Sequence, residues 1–73
     1  MTQTESIYRH LLNHGSITPL EALNLYGCMR LGARIWDLRR AGMGIRKTME
    51  SRKNANGQTK TFARYTLEGS HED

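Results

Sequence analysis

Ten of the eleven lysines and arginines lie between residues 28 and 67, where Asp37 and Glu50 are the only acids, a net +8. Residues 1–27 carry Arg9 against Glu5 and Glu21, a net −1, and residues 68–73 carry Glu68, Glu72 and Asp73, a net −3. Guanidinium and ammonium groups gathered in one stretch suit a polyanion, above all the phosphates of a nucleic acid. A membrane surface fits less well, because no segment pairs a basic face with a wide leucine or aromatic face.

Other chemistry finds little support. His10 and His14 stand i, i+4 on one helix and could join Cys28 around a metal, but there is no fourth ligand nearby and no second cysteine. No nucleophile–base pair, phosphate-cradling glycine loop or pair of carboxylates stands out. At 73 residues the chain has little room for a pocket. The expectation is therefore no enzyme, no cofactor and no metal. The single Cys28 cannot staple the fold and fits a reducing cytoplasm. No apolar run approaches the ~20 residues that span a bilayer, and Met1-Thr2-Gln3-Thr4-Glu5 does not open a secretory signal.

The elements that must position the cations are well punctuated. Thr2 and Glu5 form a capping box ahead of a helix whose apolar residues are Ile7, Tyr8, Leu11 and Leu12, ended at Gly15. Ser16-Ile17 reads as an extended link. Thr18-Pro19-Leu20-Glu21 then starts a second helix, with Leu20, Ala22, Leu23 and Tyr26 as its apolar side and Gly27 as its end. Cys28, Leu31, Ile35 and Leu38 give a third periodic segment, residues 28–41, with Arg39 and Arg40 in its last turn before Gly42. Two short helices joined by a glycine turn form a helix-turn-helix pattern.

Beyond Gly44 the period changes from 3.6 to 2. Ile45, Lys47 and Met49 alternate with polar neighbours, as do Thr61, Ala63, Tyr65 and Leu67. The polar segment 51–59 between them contains Asn56-Gly57, a pair that favours a tight hairpin turn. Three helices followed by a β-hairpin predict an α+β winged helix-turn-helix domain over residues 1–67, with an acidic tail over 68–73.

On a helical wheel the stripe 28/31/35/38 faces the core, so Arg30, Ala33, Asp37 and Arg40 point outward, with Arg34 on a flank. In a major groove, Arg30 is best placed for guanine O6 and N7. Arg34 and Asp37 also suit an i, i+3 surface pair, and Arg39 suits bonds to nearby carbonyls. Trp36 has two roles open to it: packing against the wing or a second subunit, or stacking on a splayed base. In the wing, Arg52, Lys53, Asn54, Asn56, Lys60 and Arg64 can straddle the backbone or enter a minor groove. Ser16 and Thr18 can offer hydroxyls and N–H groups to a phosphate at a helix start, although capping accounts for Thr18 by itself.

The run Ser16-Ile17-Thr18-Pro19-Leu20-Glu21-Ala22-Leu23, then Tyr26-Gly27-Cys28-Met29-Arg30-Leu31, then Ala33-Arg34-Ile35-Trp36-Asp37-Leu38-Arg39-Arg40-Ala41-Gly42 and Ala63-Arg64-Tyr65-Thr66-Leu67, resembles the small helix-turn-helix domain proteins of bacteriophages and prophages. The likeness extends over roughly residues 5 to 67. It implies a winged helix-turn-helix fold and a bacterial or phage setting. The expected function is double-stranded DNA binding in a regulatory or architectural role, with helix 28–41 in the major groove and the wing, 51–60, on the flanking backbone. A twofold partner would help so short a reading helix to be specific. The alternative from another class is a phage-encoded inhibitor that applies the same basic surface to a host protein.

Overall fold

The structure is a computed structural model and describes residues 2–68. The chain runs α1 (Gln3–His14), β1 (Ser16–Ile17), α2 (Pro19–Tyr26), α3 (Leu31–Arg40), β2 (Ile45–Lys53) and β3 (Thr59–Leu67). Three helices pack on an antiparallel sheet of order β1-β3-β2, an α+β arrangement.

Both expected capping boxes form. Thr2 N–H donates to Glu5 Oε1 at 2.9 Å, and Glu5 N–H donates back to Thr2 Oγ1 at 3.1 Å. Thr18 and Glu21 repeat the exchange at 2.9 and 3.2 Å, with Pro19 in the first turn where no N–H is needed. Gly15 and Gly27 end α1 and α2 at φ 85° and 64°, a left-handed conformation that costs a glycine nothing sterically.

The core gathers Ile7, Leu11, Ile17, Ala22, Cys28, Leu31, Ile35, Leu38, Ile45 and Tyr65. In α1 the buried face is Ile7, His10 and Leu11, whereas Tyr8 and Leu12 are exposed. The expected apolar side of α2 is buried only at Ala22, and Leu20 and Leu23 face outward. Two turns cannot bury a full stripe when one small residue already fills the contact.

Three expectations are corrected here. The link Ser16-Ile17 is a strand: Ser16 pairs with Thr66 and Ile17 with Tyr65. Two residues are too few to show a period, and the partner lies almost fifty positions away. The third helix starts at Leu31 rather than Cys28. Cys28 is buried in the core, but the turn after Gly27 puts it there, and its spacing from Leu31 merely imitates a helix. Finally, the strands of the hairpin run further than the polar composition suggested, leaving a tip of 54–58. Within it Asn54 Oδ1 accepts from the N–H groups of Asn56 and Gln58 at 2.9 and 3.1 Å, and Asn54 N–H donates to the Gln58 carbonyl at 2.9 Å.

Glu68, counted above with the acidic tail, donates its N–H to the Gly44 carbonyl at 2.8 Å and pairs with Arg46 at 3.3 Å. The rest of that tail, 69–73, lies outside the described residues. Among the described residues no helix is long and apolar enough to cross a membrane.

Candidate nucleic-acid interface

Leu31, Ile35 and Leu38 bury one side of α3 and thereby fix what the other sides present. One flank lies toward α1. There Ala33, Arg34 and Asp37 are half-buried, Arg34 Nη2 stands 3.3 Å from Asp37 Oδ2, and the Thr4 hydroxyl donates to the same oxygen at 3.5 Å. Arg34 Nε is buried with no partner among the described residues. At the other end Arg39 donates through Nε and Nη2 to the Ile45 carbonyl, at 3.2 and 2.9 Å, locking the helix to β2. The sequence allowed both arrangements.

What remains open on α3 is the line Gly32, Trp36, Arg40. Trp36 is 57 % exposed, and the Arg40 guanidinium lies over its ring at 4.7 Å from the centroid. The indole is therefore more than half open to solvent and is not part of the core cluster. Arg30, assigned above to the third helix, is instead the exposed residue just before its first turn, with φ −122° and ψ 61°.

The hairpin offers a second set. Arg52, Lys53, Asn56 and Lys60 are exposed near its tip. The strand register sets Arg52 directly opposite Lys60 on one face of the hairpin. Asn54 is committed to closing the tip, so its amide is a structural group. Arg64 lies lower, half-buried, with Nε 2.9 Å from Glu50 Oε2 and Nη1 donating to Ser16 Oγ at 3.0 Å. Ser16 thus sits in β1, not at a helix start, and its hydroxyl orients Arg64. Thr18 does cap α2, but it is buried and its hydroxyl is held by Glu21.

An apolar groove of about 700 Å³ separates α2 from the hairpin. Leu20, Leu23, Met29 and Phe62 line it, with Arg52, Lys53 and Lys60 at its edge. Sequence periodicity placed the two leucines on the apolar side of α2, and a period reports such a side without saying what covers it.

The histidines of α1 lie against each other and against Tyr26. His10 Nδ1 and the Tyr26 hydroxyl are 2.8 Å apart, and the His10 and His14 rings lie 4.5 Å apart. Among the described residues no three His, Cys, Asp or Glu side chains are grouped to hold a metal. Burial lowers the pKa of His10 below the usual imidazole value, and the neighbouring His14 lowers it further. Glu21 and the backbone at Ser16 oppose this without reversing it. The folded protein therefore binds a proton at His10 less readily than the unfolded chain does. Stability should be full above about pH 6.5 and should fall as the pH drops below it. Chemical denaturation at stepped pH reads this directly, and His10→Gln should flatten the acid side of the profile.

Compared with known families, residues 2–70 match the winged helix-turn-helix domain. No curated protein and no solved structure gives a match. The match spans nearly the whole sequence and agrees with the three helices and antiparallel sheet, so the chain belongs to the winged helix-turn-helix domain family.

Proposed function

We propose that the protein binds double-stranded DNA, with the exposed line of α3 in the major groove and the hairpin tip on the flanking backbone. The observation that carries this is the pairing of Arg52 with Lys60 across the hairpin. Like charges directly opposite on neighbouring strands destabilise a sheet, and a run of phosphates beside them removes that penalty. The neighbouring Lys53 adds to the same field. Membership of a family whose domains are typically DNA-binding and non-enzymatic supports the reading.

The finer role is regulatory or architectural, in a phage or prophage and in the cytoplasm of its bacterial host, as the sequence resemblance suggests. Two copies on adjacent half-sites would give the short α3 enough base pairs to be selective.

Lys60→Glu tests the assignment, because function and stability should move in opposite directions. An acid facing Arg52 replaces repulsion by attraction, so stability should hold or rise by about 0.2–1 kcal/mol. Affinity for every duplex should fall, and the salt dependence should weaken by about one phosphate contact or more. Chemical denaturation beside anisotropy titration of a labelled duplex would show both. If the variant binds DNA as tightly as the wild type, the hairpin is not on the backbone.

A further inference from the structure

We infer that α3 reads thymine, through contact between the Trp36 indole and the 5-methyl group in the major groove; this rests on the duplex-DNA reading above. The argument begins with what α3 has left to read with. Arg34 is paired with Asp37, and Arg39 is bound to the Ile45 carbonyl. Arg30 precedes the helix, and Arg40 is laid over the indole. The centre of the open face is thus an exposed aromatic ring, with the half-buried methyl of Ala33 toward α1. Among the base-edge groups of the major groove, the thymine methyl is the apolar one, and apolar side chains recognise it by contact.

Gly32 supplies an independent observation. It lies one turn before Trp36 on the same line and is exposed. A Cβ placed there would meet only the Tyr65 hydroxyl, at an ordinary 3.8 Å, and its φ is not in the left-handed range. The packing of the protein therefore does not demand glycine, and alanine would favour the helix. A missing side chain beside the indole lets a groove edge approach the helix backbone closely. The stacked Arg40 holds the ring by one face and keeps its own fork available to a phosphate.

The test compares alternating dA-dT and dA-dU duplexes of one length, which differ only in that methyl. The wild type should bind the thymine duplex roughly four- to fifteenfold more tightly, as expected for burying one or two methyl groups. Trp36→Ala should bind both duplexes equally, with an unchanged salt slope and an unchanged circular dichroism spectrum, and Trp36→Phe should restore part of the preference. Equal binding of the two duplexes by the wild type overturns the inference while leaving DNA binding intact. So does a preference that survives in Trp36→Ala, or a loss of salt slope in that variant, which would mean that Trp36 acts only by holding Arg40. Failure of the wild type to bind either duplex at about 50 mM salt removes the DNA reading itself, and the inference with it.

Discussion

Replacing Ile35 by alanine is expected to unfold the domain, whereas replacing Arg40, little more than one turn further on, should leave it folded. Ile35 is 1 % exposed and stands between Leu31 and Leu38 on the stripe that α3 gives to the core. Truncating a buried Ile to Ala costs about 2–5 kcal/mol, counting the cavity left behind. A domain of this size holds ~3–5 kcal/mol in all. Leu38→Ala should behave alike, as Leu38 is 6 % exposed in the same cluster. Arg40 is exposed and lies over the Trp36 ring, so Arg40→Ala should cost less than about 1 kcal/mol. Thermal melts followed by circular dichroism separate the two outcomes. Should Arg40→Ala unfold the protein and Leu38→Ala spare it, the faces of α3 assigned here are reversed.

The second large effect is on binding. Six cations between residues 28 and 67 have no carboxylate partner among the described residues and are exposed, apart from the carbonyl-bound Arg39: Arg30, Arg40, Lys47, Arg52, Lys53 and Lys60. Ion pairs occupy Arg34, Arg46 and Arg64. If four to seven phosphates are neutralised, log K should fall linearly with log salt, with a slope of about −0.9 per phosphate. Between about 50 and 200 mM salt the affinity for duplex DNA should then drop roughly 10²- to 10⁴-fold. Anisotropy titrations at four salt concentrations give the slope. A slope near zero would show that the basic surface does not meet a polyanion of this kind.

Local chemistry was readable along the sequence, and contacts between distant residues were not. The two capping boxes and the glycine ends of α1 and α2 depend on neighbours within a few positions, and each appears where its residues stand; the alternation located β2 and β3, although in β2 it buries Ile45 alone and leaves Met49 exposed. The strand at Ser16-Ile17 has no such local mark, because its partners Thr66 and Tyr65 arrive only with the end of the fold. Cys28 misled the start of α3 because a buried turn residue and a buried helical residue look alike in a period. In the candidate interface the outward direction of Arg40 followed from the wheel. The diversion of Arg64 to Glu50 and Ser16 did not, since a charge pattern cannot say which cation has found an acid across the sheet. Nor could a two-turn helix announce that its leucines would line a groove.

The short strand β1 has a consequence for the order in which the molecule can be made. Among the described residues it pairs only with β3, and the Gly15 carbonyl just before it accepts the N–H of Leu67 at 2.8 Å. During synthesis α1, α2 and α3 emerge from the ribosome well before that partner exists. Ile17, wholly buried in the finished molecule, must wait beside them without the strand that covers it. Closing so long a loop is entropically slow compared with forming the helices. The last strand therefore works as a latch, and a nascent chain halted short of residue 65 would carry the whole of α3 but none of the frame that holds it in place.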